Sequence, residues 1–356
     1  MLFPLALLYG FMIRLRNGLF SLRILRSHEF RFPVISVGNI EVGGTGKTPH
    51  TEYLVGLLKG NFKVAVLSRG YGRKTNEFMF VESSSTMSSV GDEPVQIKKK
   101  YPEAIVAVDR NRVNGIRMIR EAFPEVDVII LDDAFQHRYV TPGFSILLTS
   151  HDNLFTRDYL LPAGRLREHR KNKKRADMIL VSKSPENLSP LDRRMIVKEI
   201  VPAGHQHLYF TSVRYNDPVH LIEREAATVT LEEISEMETQ VLLVTGIASP
   251  DPLVDYLKRF TERITHLKYP DHHSFSQDDL DKIVSVYSSL PSDNKCLITT
   301  EKDSVRLMEI PDIVRLFGDN IFYIPIGIHF LNNDEDKFNN YIIGYVRKNK
   351  PNNIIS

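Results

Sequence analysis

The stretch P-V-I-S-V-G-N-I-E-V-G-G-T-G-K-T, Pro33 to Thr48, decides what kind of fold this chain adopts. An apolar, β-branched run (Val34, Ile35, Val37) breaks into three glycines, and Lys47 and Thr48 then open a helical pattern. Strand, glycine-rich turn and helix in that order make a phosphate-binding loop. Gly43, Gly44 and Gly46 let backbone N–H groups turn towards phosphate oxygens, and the helix N-terminus adds partial positive charge. Lys47 reaches the outer phosphates and Thr48 offers a hydroxyl to Mg²⁺. The strict pattern G-x-x-x-x-G-K-[ST] is not met, because Glu41 stands where its first glycine belongs. What remains is the core of the deviant form of the loop. Glu41, Val42, Gly43, Gly44, Thr45, Gly46, Lys47 and Thr48 are therefore the expected nucleotide contacts.

Downstream, the pattern alternates between helix and strand. Thr51–Leu58 reads as the helix behind the loop, with strands at Val64–Leu67, Ile105–Val108, Val126–Leu131, Phe144–Leu148 and Met178–Val181, and a helix at Arg112–Phe123. Repeated β-α units with near-continuous apolar strands imply an α/β, P-loop NTPase-type fold, its mostly parallel sheet covered by helices on both faces. Ligands then gather at the carboxyl ends of the strands. One of those ends carries Asp132 and Asp133, where a P-loop enzyme holds Mg²⁺ or its water. Two adjacent buried carboxylates without a partner would be costly. Ser68-Arg69-Gly70-Tyr71-Gly72-Arg73 and Asp109-Arg110-Asn111-Arg112 follow other strands and Gly91-Asp92-Glu93-Pro94 follows a Ser-rich loop, each where a carboxyl-end loop belongs.

With 356 residues the chain has room for two domains, and 42% hydrophobic with 25% charged residues excludes disordered and fibrous classes. A net charge of +2 does not announce a nucleic-acid binder, and no nucleic-acid partner is expected. The single cysteine, Cys296, rules out a disulfide framework and a multi-cysteine metal site, and its apolar neighbours place it in a core. Met1–Ile13 carries no charge and is followed by Arg14, Arg16, Arg23, Arg26 and Arg31 among apolar residues. That run is too short to span a bilayer, which needs about 20 residues, and its charge order is wrong for a secretory signal. It reads as an amphipathic helix, lying either at an anionic membrane surface or on the protein's own core. Leu160–Arg175 holds seven basic side chains against one acidic one, which suits a phosphate-bearing ligand or an anionic membrane face.

The expected domains are an N-terminal membrane-interface helix (1–31), a P-loop kinase domain (32–225) and a smaller C-terminal α/β domain (226–356). The last contains a strand at Val241–Thr245, the triplet Asp271-His272-His273, a capping-box start at Ser276 and Asp279, and Thr300-Glu301-Lys302-Asp303 after a strand. Adjacent histidines do not share one face of a helix or strand, so the triplet points to acid-base or binding work and not to a metal.

Taken together, these motifs resemble one family, the tetraacyldisaccharide 4'-kinases of lipid A biosynthesis. The matching pieces are P-V-I-S-V-G-N-I (33–40), V-G-G-T-G-K-T-P (42–49), S-R-G-Y-G-R (68–73), G-D-E-P (91–94), D-R (109–110), D-D-A-F-Q-H-R (132–138), L-P-A-G-R-L-R-E (161–168), D-H-H (271–273) and T-E-K-D (300–303). The resemblance implies an ATP- and Mg²⁺-dependent kinase that phosphorylates the 4'-hydroxyl of an acylated glucosamine disaccharide 1-phosphate. It would act as a monomer at the cytoplasmic face of a bacterial inner membrane, peripheral or monotopic. The resemblance further implies Lys47, Asp92 and His272 as catalytic residues, Asp92 being the base that His272 positions or tunes and His273 the fallback for that role. It puts Mg²⁺ on Thr48, Asp132 and Asp133, and the substrate near Arg112, Arg165, Glu168 and Asp271. A regulatory or metallochaperone-type P-loop NTPase is the alternative; its usual marker is a lysine just before the paired glycines, where this chain has Val42.

Overall fold

The computed structural model describes residues 2–222, 229–310 and 312–350. These divide into two compact units, one within 1–85, 89–213 and 328–356 and the other within 86–88 and 214–327.

The first unit is built on a nine-stranded sheet. Its strands run, in order across the sheet, Ile326–Phe330, His207–Tyr215, Met178–Ser182, Phe144–Ser150, Val34–Asn39, Val128–Asp132, Val64–Ser68, Ile105–Val108 and Met79–Phe80. The seven from His207–Tyr215 to Ile105–Val108 are mutually parallel, and Met79–Phe80 closes that edge antiparallel. Residues alternate between the two faces. Ile35, Val37, Val64, Val66, Val128 and Ile130 pack on one side, while Val34, Ala65, Leu67, Ile129 and Leu131 pack on the other. Both sides are dry because helices cover both, which is why these strands read as unbroken apolar runs. Helices Lys47–Leu58, Asp92–Lys100 and Glu335–Asn349 supply the first face, and Arg112–Ala122 supplies part of the second.

Two elements lie elsewhere than expected. The proposed boundary at 225/226 falls outside the described residues, but the chain leaves the first unit already at 213/214 and returns at 328. The C-terminal helix Glu335–Asn349 thus belongs to the P-loop unit. Its stripe Phe338, Ile342 and Val346 enters that unit's core, and Tyr53 Oη meets Glu335 Oε1 at 2.9 Å and Asn339 Oδ1 at 2.8 Å. The stretch 201–238, whose sequence pattern predicts short strands and turns, holds the long strand His207–Tyr215.

The N-terminal helix Phe3–Ser21 packs on this unit through Ala6, Gly10, Asn17 and Phe20. Tyr9 Oη donates to the Arg167 carbonyl (2.9 Å), and a Cβ on Gly10 would stand 2.7 Å from Leu160. Its large apolar side chains point the other way: Leu5, Leu7, Leu8, Phe11, Met12 and Leu15 are all more than half exposed. Among the described residues no helix is long and apolar enough to cross a membrane.

The second unit has a five-stranded sheet, in order Val219–His220, Ile321–Ile324, Lys295–Thr300, Gln240–Thr245 and Ile264–Lys268, parallel except for the first strand. Cys296 is buried in its core, and burial raises its thiol to about 12. The capping box expected at Ser276 and Asp279 is formed, opening the helix Gln277–Ser289.

Candidate active site

Strand Val34–Asn39 lies between Phe144–Ser150 and Val128–Asp132, with Val37 opposite Asp132, so the phosphate loop and the acidic pair leave neighbouring strand ends. Gly43 (φ +117°) and Gly46 (φ +78°) take backbone conformations that disfavour L side chains, which is what folds the loop back over the start of the helix Lys47–Leu58. The loop is pinned from behind. Asn39 Nδ2 donates to Thr45 Oγ1 (2.8 Å), Ser182 Oγ donates to the Thr45 carbonyl (2.8 Å), and Val42 N donates to the Arg165 carbonyl (2.8 Å). His50, kept neutral by burial that lowers it to about 4, bridges the Gly46 carbonyl and Thr211. Val42 and Thr45 spend their N–H groups within the protein, whereas those of Gly43, Gly44, Gly46, Lys47 and Thr48 make no backbone bond in the loop. Five such donors at the start of a helix suit an anion.

Glu41 is the exception in the expected contact set. It is 1% exposed and faces inward, accepting from Thr149 Oγ1 (3.1 Å), while its Oε2 has no hydrogen-bond partner. Burial raises its carboxyl from 4.5 to about 7. Because the folded state holds this proton more tightly than the unfolded chain, Glu41 subtracts stability as pH rises between those values. Replacing it by glutamine is expected to leave stability near pH 5 almost unchanged and raise it at pH 8, flattening a pH series of denaturant midpoints.

Asp132 is fully buried. Thr51 Oγ1, one helical turn after Lys47, donates to its Oδ1 (3.0 Å), while Oδ2 has no partner. Burial, with the charges of Glu93 and Asp133, raises Asp132 to about 7. A buried carboxylate with one bare oxygen, followed in the chain by a second carboxylate, offers oxygen donors suited to a hard divalent cation. Asp133 adopts φ +46° and sits 3.7 Å from Lys47 Nζ and 3.3 Å from Arg167 Nη1.

Asp92 opens the helix Asp92–Lys100, and its Oδ1 accepts from Glu93 N (3.0 Å). That helix is tied to the loop helix through Glu52, whose oxygens accept from Gln96 Nε2 and Lys100 Nζ, both at 2.7 Å. The S-R-G-Y-G-R and G-D-E-P turns meet at bare backbone: a Cβ on Gly91 (φ +96°) would lie 2.9 Å from the Tyr71 carbonyl. Gly91→Ala combines this clash with an unfavourable φ, and about 1–3 kcal/mol of destabilisation is expected in denaturant unfolding, with reduced activity.

The remaining expected residues fall into two groups. Arg112 is buried. Its Nη1 and Nη2 donate to the carbonyls of Asp109 (2.6 Å) and Asp132 (3.2 Å), holding the two strand ends together. Glu168 is likewise buried, its Oε2 taken by Arg175 (2.6 Å), Asn172 (2.6 Å) and Asn17 (3.4 Å). Arg165 is half exposed, paired with Asp158 at 2.8 Å. In the second unit, Asp271 and His272 are exposed. His272 has φ +59°, with Arg306 Nη2 at 3.1 Å from Nδ1 and Lys302 Nζ at 3.1 Å from Nε2. Arg306 in turn is held by Asp303 (2.8 Å). His273 is committed elsewhere, bonded to Asp279 (2.9 Å) and stacked on Tyr269. The sequence alone gave no role to Thr51, Glu93 or Arg167, which contact or influence the acidic pair. Thr51 at i+4 from Lys47 was legible as a residue on the loop side of its helix; the other two are brought near the acidic pair by tertiary packing.

The model of the family Tetraacyldisaccharide-1-P 4'-kinase matches residues 1–347. The chain belongs to the tetraacyldisaccharide 4'-kinase family. It is 45% identical to a tetraacyldisaccharide 4'-kinase of Bacteroides thetaiotaomicron, over 100% of this chain and 95% of the relative. A tetraacyldisaccharide 4'-kinase of Parabacteroides distasonis is 44% identical over 97% of this chain and 94% of its own length. Among solved structures, the 4'-kinase of Aquifex aeolicus in complex with ATP superposes with a TM-score of 0.76 at 27% identity, covering 97% of this chain and 98% of that one.

Proposed function

We propose that this member of the 4'-kinase family transfers the γ-phosphoryl group of ATP to the 4'-hydroxyl of tetraacyl glucosamine disaccharide 1-phosphate, the lipid A step that forms lipid IVA. The observation that carries the reading is the five-donor loop with Lys47 beside Asp132 and Asp133, in a chain whose family is named for this reaction. Gly43, Gly44, Gly46, Lys47 and Thr48 hold the phosphates of ATP. Mg²⁺ would be held by Thr48, Asp132 and Asp133, and it supplies charge neutralisation on the phosphate oxygens. Asp92 accepts the proton of the 4'-hydroxyl as its oxygen bonds to the γ-phosphorus and the bond to ADP breaks. His272 is the second catalytic candidate, chosen over His273 because only its ring is not committed to a helix cap. Arg165 and Asp271, both exposed, are the better substrate contacts; Glu168 and Arg112 act by holding the segments that carry the site.

The setting is the cytoplasmic face of a bacterial inner membrane, with the outward apolar side of Phe3–Ser21 lying in the interface. A Leu7→Asp/Phe11→Asp variant is expected to lose about a hundredfold in vesicle partitioning without a change in melting temperature, since neither side chain is in the core. The reaction is tested by incubating the protein with Mg-ATP labelled at the γ-phosphate and the acylated disaccharide 1-phosphate. Label in the lipid fraction supports it, and label released solely as inorganic phosphate supports an NTPase switch instead.

A further inference from the structure

The segment Thr300-Glu301-Lys302-Asp303 opens a buried network in the second unit that the reaction as derived leaves without a task. Strands Gln240–Thr245 and Lys295–Thr300 are parallel neighbours, so Gly246 and the helix Glu301–Leu307 leave adjacent carboxyl ends. Asp303, fully buried, joins them. Its Oδ2 accepts from Gly246 N (2.8 Å) and Thr300 Oγ1 (2.7 Å), and its Oδ1 accepts from Arg306 Nη1 (2.8 Å). Arg306 is 3% exposed, and the same Nη1 donates to the Gly246 carbonyl (3.0 Å). The guanidinium is thus held on one side by a carboxylate and a carbonyl, and its Nη2 stands 3.1 Å from His272 Nδ1. The histidine is held as well. Its φ of +59° is uncommon outside glycine, and its N–H donates to the Gly246 carbonyl (3.2 Å) and to Asp271 Oδ1 (3.0 Å).

A guanidinium has donors and no acceptor, so the contact with Arg306 requires a lone pair on Nδ1. A neutral imidazole then carries its proton on Nε2. Around Nε2 stand Lys302 Nζ at 3.1 Å and Asp271 Oδ2 at 3.9 Å. Lys302, also a donor, would ask for the opposite tautomer. Arg306 prevails, because it is buried and fixed by two partners, whereas Lys302 swings on a flexible, partly exposed stem and has Asp271 Oδ1 within 4.0 Å as another partner. We infer that Arg306, braced by Asp303, is a positioning residue that locks His272 as a neutral donor with its proton on Nε2. In that form His272 can orient a carboxylate by a hydrogen bond and takes no proton from it. The effect on turnover rests on the proposed catalytic role of His272; the tautomer does not.

The test is nitrogen NMR of the full chain carrying isotope-labelled histidine, with the His272 signals assigned by their absence in H272Q. Wild type is expected to show Nδ1 unprotonated and Nε2 protonated, and a protonated Nδ1 overturns the proposal. R306M should give mixed tautomers and lower kcat about tenfold or more with KM for ATP and acceptor unchanged, and R306K should restore part of both readouts. A folded R306M that keeps the wild-type tautomer overturns the proposal, since a merely structural arginine would lower the melting temperature and leave the ring as it was. K302M should keep the wild-type tautomer, and a switch there would transfer the role to Lys302 and overturn the proposal even if R306M does not fold. Wild-type turnover in H272A would count against the catalytic role of His272, and the NMR arm would then decide Arg306 by itself.

Discussion

Lys47→Ala is expected to lower turnover by about a thousandfold, the scale of losing a preorganised positive charge from a phosphoryl-transfer site. Lys47 is the first residue of its helix, and its Nζ lies 3.7 Å from Asp133. Its side chain is mostly buried but enters none of the apolar clusters, so the loss should appear in kcat with little change in melting temperature. Lys47→Arg should rescue only partly, because a planar guanidinium cannot replace a compact ammonium. Rapid-quench or steady-state kinetics with saturating Mg-ATP provides the measurement, and a kcat within a few-fold of wild type would remove Lys47 from the mechanism.

The second large effect is expected at Asp92. Its replacement by alanine should reduce turnover by about a hundredfold or more while ATP binding stays nearly intact, because a general base acts on the acceptor hydroxyl and not on the nucleotide. Asp92 starts its own helix, which Glu52 ties to the loop helix. His272→Ala should give a loss of similar size, whereas His273→Ala, which breaks a contact to the Asp279 cap, should lower the stability of the second unit more than turnover. Nucleotide titration beside single-turnover kinetics separates these outcomes. Equal loss of ATP affinity and turnover in the Asp92 variant would contradict its role as base.

The strand-loop-helix from Val34 to Leu58 and the acidic strand end were legible because they are local: the glycines, the lysine and the apolar run sit within one supersecondary unit. The parallel order was legible for a related reason, since strands dry on both faces carry no alternation. The placement of Glu41 was not. A glutamate in a glycine-rich loop reads as a ligand contact, and only the neighbouring strand, bringing Thr149 to it, shows that it faces inward. The surroundings of Arg112 were hidden in the same way: charge pattern does not show that its guanidinium donates to two buried carbonyls. The return of the C-terminal helix was hidden because the stripe Phe338, Ile342, Val346 records that one face is buried, not which sheet receives it.

The most direct test locates the transferred phosphate. After wild-type protein has acted on the acylated disaccharide 1-phosphate with Mg-ATP, phosphorus–proton correlation NMR of the product should show a new phosphomonoester on the 4'-oxygen, one per ADP formed. ADP formed with inorganic phosphate alone, or a phosphate on any other oxygen, would contradict the account.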